Sequence, residues 1–513
     1  MSRRTADRSF VDGRRLHTDR GRRGAGNMAG PTDRTNGDVP IHTAREAAAM
    51  VPAEAGLAVS GFGGVGYPKV VPLALAESDR ELSLSVVSGG GVGEEIDTAL
   101  LEADAIDRRY PFQADRRMRE AINDRTVAFH DRHISQLGDE VAFGQLLSVD
   151  TAIVEAVAVG PDWLIPSTSI GATPSFVAAA DELIVELNRE QPIELGRVHD
   201  VYVRDPPPAR GPIPLDGPGE RIGTERIEFP EAKLVAVVES ARRDDPYTFR
   251  EPTETYERMA GNLAGFLDRE LGANPLFDER ICLQFGVGNL GNAISQALTD
   301  VPFGDRDVVY FGEVFQDGLL DLIDEGLLES ASATSLALSA DGQERLFDDI
   351  ERYISDTVLR PADISNSPAL IDRFGVVGIN SAVDIDIYGN VNSTHIGGTD
   401  VVNGIGGSGD FNRNALLSIV ALPASASGGD ISRVVPFARH VDHTEHDVDV
   451  FITEHGVADV RGCSPTERAE EIIERCADPR FVPALEAYLE RAMKGPGHLP
   501  QDFETAFGWE RFG

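Results

Sequence analysis

The chain has 513 residues, more than one ordinary hydrophobic core accommodates, so two domains are expected. Hydrophobic residues make up 41% of the sequence, and the longest apolar run, residues 415–423, is far shorter than a membrane span. Asp and Glu number 85 against 47 Lys and Arg, and the resulting net charge of −38 disfavours sequence-independent binding to nucleic acid.

The first 27 residues differ from the rest of the chain. They contain eight arginines, three aspartates and almost no apolar periodicity. We therefore expect residues 1–40 to form a disordered basic leader. Two alternatives stay open, namely a translation start at Met28 and a basic tail that binds an anionic partner.

From about residue 41 the sequence alternates helical and β-rich patterns. The predicted helices are 44–50, 256–267, 292–298 and 465–473, and the predicted strands are 82–87, 233–238, 281–285 and 308–311. This alternation predicts an α/β fold with largely parallel sheets. The segment 205–223 is dense in Pro and Gly and indicates a linker, which places an N-terminal domain at 41–229 and a C-terminal domain at 230–513.

The sharpest local motif is GVGNLG at 286–291, between a predicted strand and a predicted helix. Gly286, Gly288 and Gly291 fit the dinucleotide fingerprint, and helix-start amides favour negative charge. Glu313 follows the next strand, 22 residues after Gly291, where such folds place a ribose-binding carboxylate. These residues alone leave two interpretations open, a dinucleotide site or a turn required only for strand–helix packing.

A second glycine cluster, GIGGSG at 404–409, argues against the dinucleotide interpretation. Its free backbone amides suit an oxyanion hole or an anion clamp, which a nicotinamide enzyme does not need.

Together the motifs resemble the acetyl-CoA hydrolase/transferase family of class I CoA-transferases. The resemblance extends over nearly everything after residue 40 and implies two α/β domains of the CoA-transferase type. It is carried by GFGGVGYPKVVP (61–72), RRYPFQADRRMREAIN (108–123), FHDRHIS (129–135), LIPSTSIG (164–171), RVHDVYV (197–203), GEVFQDG (312–318), ISNSP (364–368), the glycine-rich stretch 385–415 and ITEHGVADVRG (452–462).

The resemblance implies a covalent mechanism. In this family a glutamate attacks the acyl-CoA thioester, a mixed anhydride forms, and returning CoA thiolate leaves a glutamyl-CoA thioester that an acceptor carboxylate resolves. Glu313 in GEVFQDG matches that nucleophile, and a carboxylate suits a reaction that exchanges one carboxylate for another. The backbone amides of Val287 and Gly407 match the oxyanion donors.

The resemblance also implies the substrate-binding residues. Asn366 matches an asparagine that orients the carboxylate, and Glu454 matches an acid near the active site. The residues expected to line the CoA site are Gly286, Gly288, Asn289, Leu290 and Asn403. Ser427 and Asp430 depart from the pattern, because family members often carry lysine near both positions, and this leaves the location of the CoA phosphates open.

The expected function is transfer of CoA between an acyl-CoA, acetyl-CoA or succinyl-CoA first among them, and a small carboxylate. CoA is then a substrate, and neither a tightly bound cofactor nor a metal is expected. We expect a homodimer without membrane or nucleic-acid partners. The alternatives are an acetyl-CoA hydrolase, a non-catalytic metabolite-binding protein and an NAD-dependent oxidoreductase, and the acyl donor and acceptor stay open.

Cysteine usage and charge indicate the compartment. The three cysteines lack metal-ligand spacing and are too sparse for a disulfide framework, and no apolar segment follows the charged N-terminus as in a secretory signal. The chain has only three lysines, so arginine supplies nearly all positive charge. Molar salt shortens the Debye length to about 3 Å and screens an acidic surface, so we expect a cytoplasmic protein of a halophile.

Overall fold

A computed structural model describes residues 34–249 and 252–509. The alternative start at Met28 and most of the predicted leader fall outside these residues. Residues 34–40 were expected to be disordered but run beside the first sheet, where the amide of Asn36 donates to the carbonyl of Val159 over 3.1 Å. The amide of Val237 donates to the carbonyl of Pro40 over 2.7 Å. These backbone hydrogen bonds hold residues 34–40 against the first sheet, so the expectation of disorder is wrong for this part of the leader.

The first half of the chain builds a nine-stranded sheet. Its strands are Glu54–Val59, Ser83–Ser88, Ile106–Tyr110, Ala128–Phe129, Thr151–Val159, Trp163–Pro166, Glu182–Asn188, Ile227–Glu228 and Leu234–Ser240. The two pairings of Trp163–Pro166 are antiparallel and the others are parallel. The central strand Thr151–Val159 is buried along its whole length, as expected for a parallel strand covered on both faces.

The second half builds an eight-stranded sheet. In spatial order its strands are Thr357–Leu359, Ser330–Ala333, Asp307–Phe311, Arg280–Phe285, Val376–Ser381, Leu417–Ala421, Val450–Ile452 and Val457–Asp459. Only the last pairing is antiparallel. Short strands lie outside the two large sheets at Val314–Phe315, Ser335–Leu336, Asp384–Asp386, Val391–Asn392, His395–Ile396, Asp400–Val401, Ser425–Ala426, Ile431–Ser432 and Val434–Val435.

Helices connect the strands in both halves. They are Ala44–Met50, Val70–Ala76, Asp97–Glu102, Arg116–Asn123, Ile134–Ala142, Thr173–Ala179, Glu254–Ala273, Asn289–Leu298, Asp317–Asp324, Ala340–Asp348, Ile350–Ile354, Ala362–Ser365, Pro368–Arg373, Ser408–Asn414, Pro465–Cys476, Val482–Ala492 and Phe503–Ala506. Local chemistry explains where several begin. Thr43 and Glu46 form a capping box at the first helix, and Ser464 and Glu467 form another with Pro465 in the first turn.

The α/β class, the parallel sheets and each predicted helix and strand are confirmed, with ends that differ by a few residues. The Pro- and Gly-rich segment 205–223 takes an unexpected path. Its Ile213 and Leu215 are buried in one cluster with Val309 and Phe311 of the second sheet. The chain then returns to the first sheet, whose last strand, Leu234–Ser240, follows the boundary predicted at 229/230. Both sheets lie in one compact unit, residues 33–513, so the division into two domains stays a prediction.

Candidate functional site

Glu313 lies at the carboxyl end of the second sheet, just after the strand Asp307–Phe311. Its backbone carbonyl accepts a hydrogen bond from the amide of Thr334 over 2.8 Å. On the other side, the hydroxyl of Tyr310 lies 3.1 Å from the carbonyl of Val314. The backbone around Glu313 is thus fixed by the neighbouring segment at Thr334 and by Tyr310 of its own strand, which holds the side chain on a rigid support.

The Glu313 carboxylate contacts two of the residues that the sequence singled out. Asn366 Nδ2 donates to Glu313 Oε1 over 2.8 Å, and the backbone amide of Gly407 donates a further hydrogen bond. A Cβ atom at position 407 would overlap both the Glu313 carboxylate and the Asn366 amide. Only glycine therefore permits this approach of the second glycine cluster to Glu313.

The surroundings of Glu313 disfavour its charged form. Burial first, and the nearby Asp410 carboxylate in addition, raise the pKa of Glu313 to about 7 against the hydrogen bonds from Asn366 and Gly407, which lower it. A carboxylate with such a pKa is ionised above neutrality and more basic than an exposed glutamate. It is therefore suited to nucleophilic attack.

The first glycine turn lies at the end of the strand next to that of Glu313. Gly288 has φ of +117° and caps the helix Asn289–Leu298, while Gly291 packs so tightly on the carbonyl of Gly286 that a Cβ would overlap it. Cβ atoms at Gly286 and Gly288 would meet no atom within 4 Å, and Val287 is 39% exposed. The turn thus combines one packing glycine with an open backbone that a ligand can approach.

The remaining predicted binding residues lie in different surroundings. Asn289 begins the helix, and Leu290 packs against the hydrophobic core. Asn403 has a buried Oδ1 atom without a hydrogen-bond partner among the described residues. Glu454 accepts from the amide of Ala424 over 2.8 Å, which ties its carboxylate to a neighbouring loop.

The turn at 427–430, where lysines were expected, is contacted by the guanidinium of Arg480. Ser427 has φ of 52°, and a Cβ at Gly429 would overlap the guanidinium of Arg480. Arg480 Nε also donates to Asp478 Oδ1 over 3.0 Å, so its positive charge is partly compensated. The sequence could not indicate this contact, because Arg480 lies about 50 positions after the turn.

Residues of the first half hold the second glycine cluster in place. The amide of Ile405 donates to Asp131 Oδ2 over 2.7 Å, and Arg119 Nη1 donates to the carbonyl of Val402 over 2.9 Å. Phe112 lies directly against Gly404. These residues come from the motifs at 108–123 and 129–135, so both motifs act on the loop that reaches Glu313.

Sequence reasoning missed a second carboxylate beside Glu313. Asp410 Oδ2 lies 3.3 Å from Asn366 Nδ2, and Ser135 Oγ donates to Asp410 Oδ1 over 2.6 Å. Burial raises the pKa of Asp410, and its hydrogen bonds with Ser135 oppose that rise. Both residues lie inside family motifs, but they are 275 positions apart and no local pattern connects them.

Neither a metal-binding cluster nor a membrane-spanning helix is found in the part of the chain that the structure describes. No group of three or more His, Cys, Asp or Glu side chains there is arranged to hold a metal ion. No helix among the same residues is long and apolar enough to cross a membrane.

Comparison with family models and with known proteins agrees with this arrangement. The acetyl-CoA hydrolase/transferase N-terminal domain matches residues 38–239, and the C-terminal domain of the same family matches residues 342–489. A succinyl-CoA:acetate CoA-transferase of Clostridium kluyveri is 41% identical over 475 residues, which cover 91% of this chain and 88% of that protein.

A hydrolase and a solved structure are also similar. An acetyl-CoA hydrolase of Eremothecium gossypii is 40% identical and covers 84% of this chain and 86% of its own length. The structure of a 4-hydroxybutyrate CoA-transferase from Porphyromonas gingivalis matches with a TM-score of 0.62 at 20% identity, covering 88% of this chain and 97% of that one. At that identity the structural likeness concerns the fold.

Proposed function

Because this chain belongs to the acetyl-CoA hydrolase/transferase family, we propose that it moves CoA from acetyl-CoA or succinyl-CoA to a small carboxylate through a thioester on Glu313. One observation carries the role of Glu313. Its carboxylate is held against the second glycine cluster by Asn366, over 2.8 Å, and by the amide of Gly407.

The hydrogen bonds to Glu313 suggest how the steps are divided. When the carboxylate attacks the acyl carbon of the thioester, an oxyanion forms on the substrate, and the open turn at Val287 is available to stabilise it. When CoA thiolate then attacks the Glu313 carbonyl of the mixed anhydride, the oxyanion forms on Glu313 itself. Asn366 and Gly407 already donate to that side chain, and one such donor is typically worth about 3–4 kcal/mol.

Hydrolysis of acetyl-CoA is the second candidate, because similar proteins include both transferases and hydrolases. It uses the same Glu313 thioester, with water in place of the acceptor carboxylate, so access of water decides between the two.

An NAD-dependent oxidoreductase and a non-catalytic metabolite-binding protein both lose support. In the oxidoreductase, a ribose-binding carboxylate would face the first glycine turn, whereas that of Glu313 contacts Asn366 and Gly407. In a binding protein, nothing would require a partly buried carboxylate of raised pKa to be held by two donors.

A steady-state assay in molar KCl tests the proposal. Acetyl-, propionyl-, succinyl- and 4-hydroxybutyryl-CoA are each supplied with and without added carboxylates. We expect exchange of CoA to depend on the acceptor, with ping-pong kinetics and succinate and acetate among the preferred acids. Release of free CoA at the same rate without any acceptor would favour the hydrolase, and an absence of both reactions would refute the proposal.

Assembly and location belong to the same proposal. The resemblance supports a homodimer, and the lysine-poor, acidic composition supports a salty cytoplasm. Sedimentation in molar KCl should give twice the chain mass of 55.3 kDa. A monomer that is fully active under the assay conditions would contradict the dimer.

A further inference from the structure

The donor that orients Glu313 is shared with a second acid. Asn366 Nδ2 lies 2.8 Å from Glu313 Oε1 and 3.3 Å from Asp410 Oδ2, so its two hydrogens serve two carboxylates. The two carboxylates only accept hydrogen bonds and therefore set the orientation of the amide, and Ser365 Oγ completes it by donating to Asn366 Oδ1 over 2.8 Å. Orienting Glu313 requires only the first of these contacts, and a second negative charge beside it is unfavourable.

Asp410 is itself firmly held in this position. Ser135 donates to it twice, from its amide to Oδ2 over 3.0 Å and from its hydroxyl to Oδ1 over 2.6 Å. The ring of His133 lies against the adjacent Gly409. Burial raises the pKa of Asp410, whereas the donors that reach both of its oxygens stabilise the charged form and oppose that rise, so Asp410 carries a negative charge once the pH exceeds this raised pKa.

We infer that Asp410 is a positioning residue that destabilises the free Glu313 carboxylate relative to the covalent glutamyl-CoA state. The inference rests on the function proposed above and follows from the charge balance of the reaction. A Glu313 oxygen bonds to the acyl carbon as the carbon–sulfur bond breaks and CoA leaves as thiolate. The thiolate then bonds to the Glu313 carbonyl carbon, and the former acyl group leaves as a carboxylate.

The negative charge of Glu313 therefore departs with the product, whereas the charge of Asp410 stays. Repulsion between the two carboxylates exists in the free enzyme and disappears in the thioester, which favours formation of the intermediate. The other groups that face Glu313 are the amides of Asn366 and Gly407 and the phenol of Tyr310. None of these three groups is a cation. The titratable group on the far side of Asp410 is the His133 imidazole, whose electrostatic effect lowers the pKa of Asp410 and so favours its charged form.

The variant Asp410→Asn tests the inference, because it removes the charge and keeps the shape. The pH dependence of kcat/KM for acyl-CoA is measured alongside the fraction of enzyme present as the thioester, determined by intact mass after acid quench. We expect the low-pH midpoint of the kcat/KM profile, the acid limb, to move down by about one pH unit, because Glu313 loses the negative charge beside it. At a fixed ratio of acyl-CoA to free acid, we expect the ratio of thioester to free enzyme to fall about tenfold, since one pKa unit is a factor of ten.

Asp131→Asn is the matched control, since Asp131 is a partly buried acid that supports the same loop, through Ile405. It should leave the acid limb in place. The pH midpoint of the acid limb does not depend on how much of the enzyme is folded. If Asp410→Asn does not fold, Asp410→Ser replaces it. An Asp410 variant with the wild-type midpoint and thioester ratio overturns this inference alone. A wild-type enzyme that never forms the thioester overturns the proposed function as well.

Discussion

The Glu313 carboxylate depends on glycine at position 407. The backbone of Gly407 lies so close that a methyl group would displace both Glu313 and Asn366. A misplacement of about 1 Å at a reacting group can cost on the order of 10²-fold in rate. The position of the Glu313 carboxylate therefore depends on the absence of a side chain at position 407.

We predict that Gly407→Ala lowers kcat by about 10²-fold or more while the melting temperature changes little, because the added methyl group displaces Glu313, the side chain that we propose to react. Gly261→Ala is the control, since a Cβ there meets nothing within 4 Å and alanine favours its helix. Steady-state kinetics and thermal melting check both variants. An active Gly407→Ala enzyme would show that the close contact is not used in catalysis.

At the scale of elements, the two glycine clusters contribute differently. The loop with Gly407 is held from outside by Asp131 and Arg119, whereas the turn at 286–291 is built by its own strand and helix. Within that turn Gly291 satisfies packing and Gly286 has open space beside it. In this GVGNLG motif, Gly291 is thus required for packing, whereas we attribute the need for glycine at 286 to the approach of the ligand.

We predict that Gly286→Ala keeps the wild-type melting temperature but raises KM for acyl-CoA, because the methyl group projects into the space proposed for CoA. Gly291→Ala should instead lower the melting temperature, since its Cβ overlaps the carbonyl of Gly286. Kinetics and melting curves separate the two effects. Equal KM values for wild type and Gly286→Ala would remove this turn from the proposed CoA site.

Periodicity and motifs predicted the elements and most of the residues around Glu313, because strands, helix caps and glycine turns are local features. Asn366 and Gly407 could be named from their motifs. The contacts of Asp410 with Ser135 could not, since the two residues are brought together only by the packing of the two halves. The path of segment 205–223 was missed for the same reason, because composition indicates a loop but not what the loop packs against.

At the scale of the whole molecule, lysine is scarce yet one of the three lysines lies in the interior. Lys69 Nζ lies 2.7 Å from Glu155, 2.9 Å from Asp244 and 2.8 Å from the carbonyl of Tyr67. A compact ammonium with three donors suits this site, because buried carboxylates need a hydrogen-bonded partner. Lys69 therefore serves a buried ion-pair site in a chain whose net charge is strongly negative.

We predict that stability rises with salt. The net charge of −38 destabilises the folded chain through self-repulsion, and screening becomes short-ranged between about 0.1 M and molar KCl. The melting temperature should increase over that range, and KCl and NaCl should act alike if screening dominates. A melting temperature that is flat or falls with salt contradicts the halophile interpretation.

We predict that stability at constant molar KCl falls as pH rises from about 5 to about 8. Burial raises the pKa of Glu155, and that of Asp131 to about 7, above the values of exposed acids. The folded state thus binds these protons more tightly than the unfolded state, and this contribution is lost as pH passes the folded pKa. Glu155→Gln should flatten the decline in melting temperature, and an unchanged slope would argue against the raised pKa.

The central claim, a covalent thioester on Glu313, is tested most directly by intact mass. The enzyme is incubated with acetyl-CoA in molar KCl without an acceptor, quenched in acid and weighed beside Glu313→Gln. The account predicts that the wild type gains the mass of one CoA less one water, that acetate or succinate removes the adduct, and that the variant gains nothing. A variant that still exchanges CoA, or a wild type that turns over without ever carrying the adduct, would contradict it.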